Sequence, residues 1–236
     1  MGHLVGGRAG ARWVFIVSGV APLAEPAFAG AWTQAPGEQQ WIASVSHETS
    51  DFGEAWRADD LTEFGFKGGW AVNFKVESQM RIGDALDNRS GFRAGVQKSF
   101  ALGERGSFSV QASVLGGESL DGPDCEGEGY ETRAALGTSF ALAGHESFVN
   151  VETAAKSRED GCNRQLIEIT TGAEITPNLK VMVKAWSEDG AYAHSEKVES
   201  ALLYSFGELS VGLGWRQEIS GRFEEKGWVV QAWRKF

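Results

Sequence analysis

The chain ends Trp228-Val229-Val230-Gln231-Ala232-Trp233-Arg234-Lys235-Phe236. In an extended backbone successive side chains point to opposite faces. Trp228, Val230 and Phe236 therefore share one face, and Gln231 and Lys235 lie on the other. The segment reads as an amphipathic strand that finishes on an aromatic residue. The same period of two recurs backwards through the chain. Trp70, Val72, Phe74 and Val76 oppose Asn73, Lys75, Glu77 and Gln79. Phe92, Ala94 and Val96 oppose Arg93, Gly95 and Gln97. Phe108, Val110, Ala112 and Val114 oppose Ser109, Gln111 and Ser113. Ile167 and Ile169 oppose Glu168 and Thr170, and Leu209, Val211 and Leu213 oppose Ser210, Gly212 and Gly214. Strict alternation over such lengths marks strands with one apolar and one polar face.

About twelve segments of this kind are predicted, over 39–49, 58–66, 70–82, 90–101, 107–117, 130–142, 147–157, 164–175, 179–188, 196–206, 208–218 and 227–236. Each is close to the ~9–11 residues with which a tilted strand crosses the hydrocarbon of a bilayer. The connections alternate between two kinds. Short ones fall at 67–69, 103–106, 143–146, 176–178 and 207; longer, acidic ones at 50–57, 83–88, 118–129, 158–163, 189–195 and 221–226. An even strand count places all the short turns, with both termini, at one end. Residues 99–108 and 139–148 form a weak repeat, each copy setting a Phe on both sides of a short turn (Phe100 and Phe108; Phe140 and Phe148). With Phe66, Trp70 and Phe206 these aromatics are expected to form a girdle at one membrane interface. The alternative, hairpin-packing pairs in a soluble sandwich or lipocalin-like barrel, would leave the outward face of a soluble barrel apolar.

Arg8 and Arg12 precede the apolar run 13–20, and Ala27-Phe28-Ala29 follows as an A-x-A cleavage signal. This layout predicts a secretory signal peptide over 1–29 and a mature domain over 30–236. The run is short of the ~20 residues that a membrane-anchoring helix needs. Loss of Arg8, Arg12 and Glu25 leaves 20 basic and 31 acidic residues, a net charge of −11. Nucleic acid is excluded as an expected partner, because phosphate binding needs a basic surface. Nine Trp and 14 Phe in so polar a chain would require longer apolar runs if they filled an ordinary core. On a lipid-facing wall they require only alternation.

A terminal Phe on a closing amphipathic strand resembles the ending of outer-membrane β-barrels of Gram-negative bacteria. The family prefers an apolar or aromatic residue two places before the end, where this chain has Arg234. The opening Gly30-Ala31-Trp32-Thr33-Gln34-Ala35-Pro36-Gly37-Glu38 also resembles the mature start of uncharacterised proteobacterial outer-membrane transporters. The resemblance implies an all-β, antiparallel, up-and-down transmembrane barrel, exported through the periplasm to the outer membrane. It implies outer-membrane lipid and lipopolysaccharide as surroundings, and a barrel-insertion machinery that reads Phe236.

Inside such a barrel the polar faces would meet. Lys75, Glu77, Arg81, Arg93, Arg133, Glu152, Glu168, Lys184, Glu199 and Arg216 are the candidate lumen-lining residues. Glu131, Lys156, Glu174, Lys180, Lys197, Glu218 and Lys235 share their faces. Both charge signs occur, so neither an anion nor a cation filter is indicated. Two readings stay open: a narrow water-filled channel for small solutes, or a barrel filled with ion pairs that serves a structural or surface-contact role. A hydrolase would need a His within reach of a wall Ser. His47 has Ser46, Ser50 and Asp51 beside it, but the chain carries no hydrolase signature, no zinc-ligand spacing and no cofactor motif. The acidic groups Asp121, Asp124, Glu126 and Glu128, Glu159 and Asp160, and Glu188 and Asp189 are read as a solvated rim, with divalent-cation uptake as the alternative. Cys125 and Cys162 fall in adjacent long loops, and export through an oxidising compartment predicts that they bridge.

Overall fold

The computed structural model describes residues 30–83, 88–118, 125, 127–190 and 194–236. The predicted signal peptide and the carboxylates Asp121, Asp124 and Glu126 lie outside them. Twelve strands follow one another: β1 (Gln39–Ser50), β2 (Gly53–Phe66), β3 (Trp70–Arg81), β4 (Arg89–Leu102), β5 (Gly106–Gly117), β6 (Gly129–Leu142), β7 (His145–Arg158), β8 (Arg164–Thr176), β9 (Leu179–Gly190), β10 (His194–Phe206), β11 (Leu209–Gly221) and β12 (Lys226–Lys235). Each pairs antiparallel with its neighbours in the chain, and β12 returns to pair with β1, closing an up-and-down barrel. Closure removes the sheet edges that would otherwise need covering. Phe236 makes the last rungs of the seam: its N–H donates to Gln39 O at 2.9 Å, and Gln39 N–H donates to Phe236 O at 3.2 Å. The Arg234 guanidinium lies 4.3 Å from the Phe236 ring centroid, so the cation at this family-atypical place covers the terminal aromatic.

The outward face carries Val72, Phe74, Val110, Val114, Leu136, Ile167, Ile169, Leu202 and Leu213, all exposed. The inward face carries the charged and amide side chains, and its small apolar core consists of Phe148, Met182, Ala201 and Leu203 with Trp32 and Trp233 packed on it. An apolar exterior around a polar interior inverts a soluble barrel and matches one that stands in lipid. Aromatics cluster towards both ends of the wall. Phe100 stacks on Phe108 and Tyr204 meets Phe206 at a tilt at the short-turn end, and Trp215 meets Trp228 near the other.

Two expectations are corrected. β2 begins at Gly53, not 58, so the connection 50–57 is not a long loop. Ser50 pairs with Gly53 across a tight turn. The Ser50 hydroxyl accepts from Phe52 N–H and donates to Gly53 O, both at 3.2 Å, which fixes the turn locally and sends residues 54–57 up the wall. Phe148 does not join the aromatic girdle; it is only 4% exposed and points inward. The connection after β6 is shorter by one residue than the one after β4. Phe108 pairs with Phe100, whereas Phe148 pairs with Ser139. A one-residue shift turns every side chain to the opposite face, so the repeat holds in sequence but not in orientation.

Candidate functional site

The inward side chains enclose a cavity of about 320 Å³. Lys75, Glu77, Arg93, Arg133, Glu152, Glu168, Lys184, Glu199 and Arg216 line it. Arg81 does not. It is the last residue of β3, and its Nη1 donates to Phe52 O at 2.9 Å, bracing the β1–β2 turn at the rim.

Among the described residues several groups of ion pairs run along the wall. In the first, Glu131 is sealed from solvent. Arg93 Nη1 donates to its Oε1 at 2.8 Å, Arg133 Nε donates to it at 2.5 Å, and Lys156 Nζ stands 3.9 Å from Oε2. Arg133 also reaches Glu152. In the second, Arg216 grips Glu199 through Nε and Nη2 at 2.9 and 2.7 Å and Glu48 through Nη1 at 2.8 Å. Arg57 bridges Glu48 and Glu225 at 3.1 and 3.3 Å, and Lys197 holds Glu225 at 2.7 Å. In the third, Lys75 lies between Asp59 and Glu77 at 3.1 and 2.8 Å. Lys184 pairs with Glu168 at 3.4 Å. Most partners sit on neighbouring or next-neighbouring strands, so the networks circle the wall. Among the described residues eight basic and seven acidic ones face the cavity, and no single sign dominates its field. One side is aromatic instead: Trp186 lies under the Arg216 guanidinium, 5.4 Å from ring to Cζ, with Trp233 and Phe148 also on the lining.

Glu48, Arg57, Asp59, Glu63 and Glu225 are central residues that the sequence reading did not name. Alternation places Glu48, Asp59 and Glu63 inward within the predicted segments 39–49 and 58–66, and Arg57 joins them once β2 starts at Gly53. Glu225 carried no signal, because it lies in the connection between β11 and β12 and folds inward from there.

Residues 30–38 also belong to the lumen. They turn into the mouth that carries the short turns, ahead of β1. Gln34 N–H donates to Glu63 Oε1 at 3.1 Å, and its side-chain amide donates to Gln40 Oε1 at 2.7 Å. Gly37 N–H and Glu38 O bond Gly65 O and N–H, each at 3.0 Å. On the far side, Gln97 and Ser109 donate to Gly30 O at 2.7 and 3.0 Å, and Ser99 and Ser107 donate to Ala31 O at 3.1 and 2.6 Å. Ala31 N–H donates to Asn150 Oδ1 at 3.2 Å. Trp32 packs on the Phe148–Leu203 cluster. Wall glycines make room for this segment. A Cβ on Gly65 would fall 2.2 Å from Gln34 O, and one on Gly137 would fall 2.3 Å from the Trp32 ring.

At the opposite rim Cys125 and Cys162 form a disulfide with their Cα atoms 5.7 Å apart. Gly127 N–H and Cys162 N–H both donate to the Asp160 carboxylate, at 2.8 and 2.9 Å, so one side chain ties together the two loops that the disulfide joins. His47 faces outward against Trp56 and lies 3.3 Å from Glu54, while Ser46 faces inward and donates to Glu48 at 2.8 Å. The two are on opposite sides of β1, so His47 and Ser46 do not pair. Among the described residues no group of His, Cys, Asp and Glu is placed to share a metal ion.

No protein-family model matches the chain, and no curated protein is similar enough to count as a relative. Solved structures define the class: this is the fold of twelve-stranded outer-membrane barrels. The COG4313 outer membrane channel from Pseudomonas putida F1 superposes with a TM-score of 0.63 at 8% identity, over 90% of this chain and all of that one. The KdgM porin gives 0.60 at 10% identity over 83% and 99%, and the NanC porin 0.57 at 11% over 80% and 98%. At such identities the likeness is one of fold.

Proposed function

We propose that the chain is an outer-membrane channel through which small solutes pass passively along a narrow lumen. The observation that carries this reading is a closed barrel, apolar outside, whose charged interior keeps an open cavity instead of packing shut. The near balance of charge favours small polar solutes without strong selection for either sign. The porins and the channel that share the fold support the same reading. A non-enzymatic role accords with the separation of His47 from Ser46. On this reading lipid and lipopolysaccharide surround the wall after export through the periplasm. The insertion machinery reads the exposed Phe236, with Trp228 and Val230 on the same face. Deleting Phe236 should then leave the protein in the periplasm. A second reading, a non-conducting barrel with a structural or surface-contact role, is favoured by the wall-lining ion pairs and by residues 30–38 in the mouth. Planar-bilayer recording of the purified protein decides between them: open-channel steps support passage, and silence across a range of voltages supports the structural barrel.

A further inference from the structure

The wall charges are distributed around the lumen, but among the described residues the mouth at the terminal end is crossed by a piece of chain. Residues 30–38 run from β1 and β2 on one side to β4, β5 and β7 on the other, and Trp32 reaches the cluster formed by β7, β9 and β10. The segment is held as a bound ligand would be. Its backbone carbonyls at Gly30 and Ala31 each take two side-chain donors, its N–H groups at Ala31 and Gln34 find side-chain acceptors, and Ala31 is fully buried. Backbone polar groups withdrawn from water need such partners, and the wall supplies them from strands far apart in sequence. The two notches are specific to it, since any side chain at Gly65 or Gly137 would collide with the segment. These hydrogen bonds are neutral apart from the one to Glu63, and none of them uses a residue of the ion-pair networks. Movement of the segment would therefore leave the wall charges paired.

We propose that residues 30–38 form the constriction of the channel and that Trp32, seated over Gly137, sets the size of solute that passes. This rests on the channel reading above and adds where the limit lies: in a removable piece of chain at one mouth, not in the charged wall. Solutes compete with the segment for the same space, and the pore widens when Trp32 leaves its seat.

The test compares the protein from the cell envelope with a variant lacking residues 30–36, with Trp32→Ala and with Gly137→Leu. Gly137→Leu evicts the indole without removing chain. Heat-modifiability confirms that each is folded. Conductance in planar bilayers and liposome swelling with neutral sugars of increasing size are the functional readouts. Reaction of Ala31→Cys with a water-soluble maleimide is the structural one, because the native cysteines are bonded to each other and give no background. The expected result is a several-fold rise in conductance and a larger size limit in all three variants. Ala31→Cys should be protected in the parent and reactive with Gly137→Leu. Equal conductance and size limit with and without residues 30–36 would overturn the constriction and leave the channel standing. Silence of every form, with Ala31→Cys still protected in the parent, would overturn the channel and the constriction together.

Discussion

On the outer face of β5, Val110 and Val114 are exposed with no polar partner. On the inner face of the adjacent β6, Glu131 is shut away among Arg93, Arg133 and Lys156. The strands are neighbours, yet the rules differ. Outside, a residue needs only the right type, because lipid is a uniform solvent and any apolar side chain serves. Inside, a residue needs particular partners at particular distances, because a charge taken from water must find another charge or a hydrogen bond. The outer wall should therefore respond to changes of polarity, and the inner wall to changes of pairing.

The largest effect is expected on the inside. Glu131→Ala leaves Arg93 and Arg133 facing each other without their shared carboxylate. Breaking a buried pair by removing one partner costs about 3–5 kcal/mol. Urea unfolding of the refolded barrel in vesicles should show that loss, and a midpoint equal to that of the parent would mean that solvent already screens the cluster. Next comes the outer wall. Val110→Arg should cost roughly 2–4 kcal/mol near mid-depth. Gln111→Arg, one residue along, exchanges the bonds to Asn73 and Ser113 for a charge in the lumen and should cost far less. Equal damage from the two would place the wrong face of β5 in lipid.

The difference between the faces also explains what could be read from sequence. Alternation identifies the outer face almost completely, since it needs no knowledge of neighbours, and it gave the strand count; the order of short and long connections fails at the first, where Ser50 turns directly to Gly53. The inner face was legible as a set of charges and not as pairs. Arg216 meets Glu48, 168 residues away, only because β12 closes on β1. Glu225 and residues 30–38 enter the lumen from outside the strands, where period-two reasoning has no reach. Alternation also misses exceptions on the outer face. Asp60, in the middle of β2, points outward beside Ala43, and Trp41 Nε1 donates to its carboxylate at 2.7 Å. Asp60→Leu should relieve the cost of a lipid-facing carboxylate and lose that one hydrogen bond, a net gain of about 1 kcal/mol. A destabilised Asp60→Leu barrel would show that Trp41 and Asp60 act together as a required polar pair on the outer wall.

The last effect is one of pH, read as a small change in a difference, and it concerns the inner face where it meets the loops. Glu225 lies between β11 and β12, buried against Arg57 and Lys197. Burial pushes its carboxyl up, but Arg57 first, then a hydrogen bond with Glu48 and the charge of Lys197, outweigh burial and hold it well below its ordinary 4.5. A carboxyl depressed in the folded state lends stability that is complete above the ordinary carboxylate range. That stability is lost as pH falls through the depressed value. Other inner carboxylates lose their pairs in acid too, so the parent alone cannot isolate this one. The difference between parent and Glu225→Gln can. The variant should be less stable at neutral pH, and the gap should narrow steadily once the pH drops below about 4.5. A gap that stays constant down to strong acid would mean that packing, not charge, holds Glu225 in the lumen. A gap that narrows already near neutrality would mean that burial prevails over Arg57 and Lys197, and that the inner face tolerates a neutral acid where the structure shows an ion pair.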